Sequence, residues 1–263
     1  MGISKRFYNG FLKVFGDIKV FKWPMFLIYD PGSYQVKGQD MLDVLNIVQP
    51  GDILLRGYNN YLDGYFIPGY FSHVGFYVGQ VKDEDKDKVI LPEGTELFQS
   101  GEQMVVHAMA EGVFVQDVLD FCRADRMLII RLPETMQSTE KLTQDQVPFE
   151  TFTDQEKDWF KRLNDDESLE FSAIFPFLFN LALSQVGKKY DFSFDFKNYN
   201  NLSCTEFLYF IIKSLEGFHR LKPKEKKFFF YRKTVVVPDS FTEEPFQIVW
   251  QSRSVEQKKL DAL

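Results

Sequence analysis

Short runs of apolar, β-branched and aromatic residues, bounded by glycine, proline and charged residues, occupy the middle of the chain between residues 51 and 132. Four runs in this region predict strands, at 51–57, 71–81, 103–118 and 126–132. A Glu-Gly dipeptide interrupts the third run, which predicts a tight hairpin turn inside it. Because these strands follow one another without long helices between them, the pattern favours a mainly antiparallel sheet.

Apolar residues spaced three and four apart predict helices on either side of these strands. The predicted helices cover residues 40–48, 154–163, 173–186 and 201–217. A last short strand is predicted at 246–250. The whole pattern is typical of the α+β class, in which helices flank an antiparallel sheet.

The helix predicted at 201–217 begins with a capping signature, because Ser203 precedes Glu206 by three residues and an apolar run follows. Cys204 therefore lies in the first turn. The free N–H groups and the positive end of the helix dipole favour a thiolate there, so we expect a lowered pKa and a candidate nucleophile. A buried structural cysteine in an apolar helix is the alternative.

Composition limits the classes of function. The chain has 263 residues, 44% of them hydrophobic, which is enough for one large packed domain or two small ones. The net charge of −7 argues against general nucleic-acid binding. The 29 phenylalanines indicate an apolar groove or surface.

The N-terminal segment and the cysteines bear on localisation. Lysines interrupt the N-terminal segment before an apolar run could act as a signal sequence, and no run approaches the ~20 apolar residues of a spanning helix. We therefore expect a cytoplasmic protein. Residues 3–15 predict an amphipathic helix, which either packs on the domain or makes peripheral membrane contact. The second cysteine, Cys122, is predicted to be an inert core thiol.

The three histidines are His73, His107 and His219. The first two lie on predicted neighbouring strands and can face the same side, which suits a base and the group that orients it beside a cysteine nucleophile. Two alternatives stay open: buried histidines bonded to backbone carbonyls, and a zinc site with Cys204. No second ligand is spaced for zinc, so we expect neither a metal nor another cofactor. His219 lies in a Lys-rich stretch and is predicted to be solvated.

Several segments, in this order, resemble the NlpC-type cysteine peptidases of papain-like fold, and specifically their circularly permuted YiiX/YebB-like branch with its poxvirus relatives. The segments are PGDILL at 50–55, SHVGFYVG at 72–79, VVHAMAEGVFVQDV at 105–118, GKKYDFSFDF and NNLSCTEF between 187 and 207, and VVVPDSF at 235–241. Histidine precedes cysteine here, as in the permuted branch.

The resemblance implies a circularly permuted papain-like fold, with an antiparallel sheet or barrel packed against the nucleophile helix. It implies that Cys204 is the nucleophile, His73 the base and His107 the third member of a triad. In the YiiX-like branch a carboxylate often stands where this chain has His107, and either group can orient His73.

By analogy with the same family, Tyr190 is expected to donate to the oxyanion together with the backbone N–H of Cys204. A core aromatic with a satisfied hydroxyl is the alternative for Tyr190. Ser203 and Asp191 are expected to complete the oxyanion and substrate-binding region, with Asp191 bracing the loop.

The predicted organisation is a helical extension at 1–40, a hydrolase domain at 41–250 with acidic insertions near 82–102 and 134–172, and a tail at 251–263. The expected reaction is cleavage of an amide bond in a small peptide, a peptidoglycan fragment or a lipid amide. Lipid acyl transfer or ester hydrolysis, as in lecithin:retinol acyltransferase-like enzymes, is one alternative. A non-catalytic binding module on the same fold is another.

Overall fold

The structure is a computed structural model. It describes residues 18–22, 25–29, 34–59, 69–89, 96–194, 196, 199–221, 224–228 and 231–256. In chain order the strands are β1 (Ile18–Lys22), β2 (Met25–Tyr29), β3 (Ile53–Gly57), β4 (His73–Val81), β5 (Gly101–Met109), β6 (Gly112–Asp117), β7 (Arg126–Arg131), β8 (Thr135–Met136), β9 (Leu169–Glu170), β10 (Lys224–Phe228), β11 (Tyr231–Val235) and β12 (Gln247–Gln251). The α-helices are Gln39–Ile47, Val118–Phe121, Asp154–Asn164, Phe171–Leu183, Cys204–Ile212 and Glu216–His219.

Six of the strands form one antiparallel sheet in the order β12-β7-β3-β4-β5-β6. The predicted α+β class is thereby confirmed, as is the hairpin between β5 and β6, where Met109 is paired with Gly112. The central strands are buried on both faces, so their side chains alternate between two cores.

The two cores have different covers. On one face Leu54, Tyr77 and Val105 pack with Phe121, which ends the short helix Val118–Phe121. On the other face a larger core holds Val74, Phe76 and Val106 together with the helix Cys204–Ile212. That helix also contacts β4 and β5 directly. The sheet therefore lies between the Cys204 helix and Phe121.

Gly75 allows the cover on the Phe121 face to come close. A Cβ atom at this position would lie 2.7 Å from the Phe121 ring and 2.7 Å from Val105, closer than carbon atoms approach in proteins. Gly75 is paired with His107 in the β4–β5 register. The missing side chain therefore admits the Phe121 ring beside the histidine strand.

The predicted acidic insertion at 134–172 contributes to the core beneath the Cys204 helix. Its helix Asp154–Asn164 presents Glu156, which is fully buried and accepts a 2.5 Å hydrogen bond from Lys213 Nζ. Lys213 follows the Cys204 helix directly and is equally buried. Burial lowers the pKa of Lys213, and the Glu156 carboxylate opposes that shift.

The structure differs from the sequence prediction at His219 and in the N-terminal extension. His219 is not solvated as predicted: it is buried, its ring is bonded to the Ile212 carbonyl and the Leu221 N–H, and burial lowers its pKa to about 4. In the predicted helical extension, residues 18–22 and 25–29 form a β-hairpin. The helix predicted at 3–15 lies outside the described residues.

The buried Glu156–Lys213 ion pair predicts that removing one charge lowers the free energy of unfolding, and that removing both charges restores most of it. Glu156→Gln should lower the free energy of unfolding by about 3–5 kcal/mol, because it leaves the Lys213 ammonium buried without its counter-charge. Combining Glu156→Gln with Lys213→Met should recover most of this loss. Urea unfolding of the three proteins provides the measurement, and an equal loss in the double variant would contradict the role of the charge.

Candidate active site

His73 and His107 form a direct hydrogen bond across the sheet. His73 Nε2 lies 2.8 Å from His107 Nδ1, and both rings are buried. Each ring also contacts the Phe121 ring, with centroid distances of 5.7 and 5.1 Å. The structure thus brings together the two histidines that the sequence predicted as base and orienter, and fixes both rings on one face of the sheet.

A third side chain, which sequence reasoning did not identify, extends this contact. His107 Nε2 lies 2.9 Å from the side-chain oxygen of Gln116 on β6. Because β5 and β6 are paired, Gln116 stands opposite Val105, two residues from His107 on the same side of the strand. The signal in the sequence was present: a polar residue at an alternating position of the strand after the His107 strand.

Arg56 places a buried positive charge beside the histidines. It is paired with His73 in the β3–β4 register, and its guanidinium stacks 4.3 Å from the centre of the Phe121 ring. Its bonds go to the Phe121 carbonyl and the Met109 sulfur, and its Nε is buried without a partner. Within the described part of the chain no carboxylate bonds Arg56. The sequence did not reveal this residue, because its neighbours come from other strands.

The surroundings keep both imidazoles neutral. Burial holds the pKa of His73 well below its ordinary value, and the charges of Arg56 and His107 lower it further. Burial and Arg56 also hold the pKa of His107 well below its ordinary value, although its hydrogen bond to the Gln116 oxygen acts in the opposite direction. Both rings are therefore already neutral at neutral pH, which is the form in which an imidazole acts as a base.

Cys204 begins its helix as the sequence predicted. The capping box is formed: the Ser203 N–H donates to Glu206 Oε2 at 2.9 Å, and the Glu206 N–H donates to Ser203 Oγ at 3.4 Å. Glu206 also accepts from the Phe196 N–H at 2.9 Å, which ties the preceding loop to the helix start. Ser203 is therefore fully occupied as a cap and is itself buried.

The prediction of a lowered pKa at Cys204 is wrong for this structure. The pKa of the thiol is raised to about 11, with burial as the largest cause and the nearby Glu206 carboxylate acting in the same direction. The backbone N–H groups of Val74 and Thr205 and the charge of Arg56 act in the opposite direction. The helix start does lower the pKa, but the loss of hydration outweighs it. Cys122 is buried with a pKa of about 12, as an inert thiol should be.

Cys204 approaches the histidines through the backbone of β4. The backbone N–H of Val74, the residue after His73, is close enough to the thiol to lower its pKa. Between Cys204 and either imidazole, all of which the structure describes, there is no hydrogen bond. The thiol belongs to the core that contains Val74, whereas the imidazoles contact Phe121. The structure therefore records a resting arrangement in which thiol and imidazole are separate and neutral.

A small apolar groove opens beside Cys204. Its lining consists of Phe194, Cys204, Thr205, Val235, Val236, Val237 and Pro238. Most of these residues come from the VVVPDSF segment and from the loop before the Cys204 helix. Three of these seven residues are valines and one is a phenylalanine, so the phenylalanine content does not account for this groove.

Tyr190 and Asp191 lie on the loop that leads to the groove. The Tyr190 ring is partly buried and contacts the rings of Phe192 and Phe194 at centroid distances of 4.8 and 6.0 Å. Asp191 accepts from the Ser193 N–H at 2.7 Å, which closes a turn in this loop. The oxyanion role of Tyr190 stays a prediction, as does the part of Ser203 and Asp191 in binding substrate.

Asp239 holds the segment that leads into β4. Its two carboxylate oxygens accept from the N–H groups of Tyr70 and Phe71, at 2.6 and 2.8 Å. Arg126 Nε donates to the Tyr70 carbonyl at 2.8 Å and its guanidinium stacks on the Tyr70 ring. These contacts fix the backbone immediately before His73.

The described residues contain no group of three or more His, Cys, Asp or Glu placed to hold a metal ion. Within the same residues, no helix has the length and apolar character needed to cross a membrane.

Comparison with known proteins gives a family match over the region of the two histidine strands. A family model described as the permuted papain-like amidase enzymes, YaeF/YiiX, C92 family, matches residues 47–152. The resemblance to the permuted branch is confirmed. At the level of the family this supports a cysteine-type amidase or peptidase. The match contains His73, His107 and Gln116 and ends before Cys204.

The chain was also compared with solved structures and with curated proteins. The crystal structure of metalloprotein yiiX from Escherichia coli O157:H7 is 14% identical to this chain, with a TM-score of 0.43. That alignment covers 78% of this chain and 98% of the other. No curated protein matches the chain.

The raised pKa of Cys204 predicts slow alkylation at neutral pH. With a pKa of about 11, the thiolate at pH 7 should be roughly 300-fold scarcer than in a free cysteine of pKa about 8.5. The rate of reaction with iodoacetamide should therefore still rise steeply above pH 9. Mass spectrometry of a Cys122→Ala variant isolates the reaction at Cys204. A rate that reaches its plateau below pH 8.5 would show that the thiolate is stabilised at rest.

Proposed function

We propose that this chain is a cysteine-dependent hydrolase that cleaves an amide bond through a thioacyl intermediate on Cys204. The observation that carries the proposal is the 2.8 Å hydrogen bond between His73 and His107, inside the region that matches the amidase family. The family match stops before Cys204, so the case for this residue rests on its capped helix start and on the influence of the neighbouring Val74 N–H on its thiol.

In the first step the Cys204 sulfur attacks the carbonyl carbon of the substrate. Because thiol and imidazole are both neutral at rest, His73 acts as a general base and takes the thiol proton on Nδ1 as the S–C bond forms. His107 bonds His73 Nε2 and keeps the ring in position. Cys204 packs in the core on one face of the sheet and the His73 ring contacts Phe121 on the other, so this step requires the ring, at the first residue of β4, to move toward the thiol when substrate binds.

The negative charge that develops on the carbonyl oxygen needs hydrogen-bond donors. The backbone N–H of Cys204 is one candidate, and the Tyr190 hydroxyl, on the loop beside the groove, is the other. His73 then gives its proton to the leaving nitrogen as the C–N bond breaks. A water molecule attacks the thioester, passes a proton to His73, and the carboxylic acid leaves as the thiol regains its proton.

The apolar groove favours a second candidate within the same chemistry. The lining by Val235, Val236 and Phe194 next to the sulfur is apolar, which supports an apolar acyl group on Cys204. The alternative function is therefore transfer of an acyl group from a lipid ester to an amine or alcohol, with the same thioacyl intermediate. Whether water or an acceptor molecule releases the acyl group separates the two.

Adduct formation on Cys204 tests the proposal. The protein is incubated with a set of peptide amides, peptidoglycan digest and lipid esters, and the mass added to Cys204 identifies the acyl donor. Cys204→Ala should lose the adduct and the turnover, and His73→Ala should lower kcat/KM by about 10³-fold or more. Cys122→Ala, which removes a thiol buried elsewhere, should leave both unchanged. If no donor gives turnover or an adduct, the fold serves binding and not catalysis.

The lowered pKa of His73 predicts the acid side of the pH profile. The base is active only when neutral, so activity should persist as pH falls below 6.5 and disappear only when pH passes the lowered pKa. Arg56→Met removes the charge that helps to lower this pKa and should move the acid limb of kcat/KM to higher pH. Arg56→Lys keeps the charge and serves as the control. An identical limb in Arg56→Met would exclude the electrostatic role of Arg56.

A further inference from the structure

The two histidines belong to a series of hydrogen bonds that ends at Gln116. Whether Gln116 accepts or donates determines which nitrogen of each imidazole carries the proton. The members of the series are Gln116, His107 and His73, joined at 2.9 and 2.8 Å. A neutral imidazole donates from one nitrogen and accepts at the other, so fixing one end of such a chain fixes every proton in it. The side-chain oxygen of Gln116 faces His107 Nε2 and can only accept.

We propose that Gln116 is a positioning residue that sets the tautomers of both histidines and so leaves His73 Nδ1 free to act as the base. The Gln116 oxygen accepts from His107 Nε2–H. His107 Nδ1 is then unprotonated and accepts from His73 Nε2–H. His73 Nδ1 is left with its lone pair, which is the atom that the mechanism needs. The inference rests on the proposed function for its catalytic consequence, but the tautomers themselves do not depend on it.

The opposite orientation of the chain would disable the base. If His107 carried its proton on Nδ1, it would donate to His73 Nε2, and the His73 proton would have to lie on Nδ1. His73 could then accept no proton from the Cys204 thiol. Because both rings are buried, an imidazole N–H must be satisfied by a protein group. The hydrogen-bonded partners therefore determine the tautomer of each ring.

Two substitutions at Gln116 separate acceptance from packing. Gln116→Leu keeps the size but removes the acceptor, so the His107 Nε2–H loses its partner and the chain should reverse. Gln116→Glu supplies a carboxylate, which can only accept and should preserve the orientation. Gln80→Leu is the matched control, since Gln80 lies in the same sheet and bonds the exposed Glu102 instead.

Long-range ¹H–¹⁵N correlation spectra of the histidine rings read the tautomers directly. In the native chain, and in a Cys204→Ala variant that cannot turn over, both His73 and His107 should carry the proton on Nε2. Gln116→Leu should move the His73 proton to Nδ1 in part or in full, and Gln116→Glu should not. A native His73 with its proton on Nδ1, or a Gln116→Leu spectrum identical to the native one, would overturn the proposal.

Kinetics provide the second measurement. In Gln116→Leu kcat should fall by about 10- to 100-fold, the range seen when outer partners of functional histidines are removed, while KM stays within about twofold because substrate contacts are unchanged. Gln116→Glu should restore most of kcat, which a purely structural role would not explain. If the tautomers are as proposed but no substrate is turned over by the native protein, the proposed function fails and the positioning role of Gln116 stands.

Discussion

The hydrogen bond between His73 and His107 depends on the pairing of two strands. Gly75 and His107 are register partners, so His73 lies diagonally across from His107 on the same face of the sheet, within reach for long side chains. A shift of one residue in either strand would turn one ring to the opposite face and break the pair. The register of β4 and β5 is therefore a condition for any chemistry that uses both histidines.

Burial determines how these groups can react. A cysteine protease can hold a thiolate and an imidazolium at rest, but here the pKa of Cys204 is raised and that of His73 is lowered. Burial is the largest cause of both shifts, and Arg56 adds to the second. Proton transfer then has to accompany the attack on the substrate, because separated charges are costly among buried side chains. Under the proposed tautomers, the Gln116–His107–His73 hydrogen bonds leave the His73 Nδ1 lone pair free. That lone pair can take the thiol proton as the sulfur attacks.

Local patterns predicted most of the elements, because apolar runs and capping depend on neighbours in sequence. The strands around His73 and His107, the hairpin between β5 and β6, and the capped start at Cys204 all follow from such patterns. The depth of burial of each side chain does not follow from local patterns. The pKa of Cys204 and the burial of His219 depend on packing from distant segments, and Arg56 and Gln116 join the site through strand pairing. A single sequence does not display those contacts.

The VVVPDSF segment connects the two halves of the candidate site. Its valines line the groove beside Cys204, while Asp239 accepts from the Tyr70 and Phe71 N–H groups just before His73. The segment follows Cys204 in the sequence, yet it lies beside the thiol and also holds the backbone before His73. Because His73 precedes Cys204 by more than a hundred residues, a segment from the end of the chain links the two parts of the candidate site.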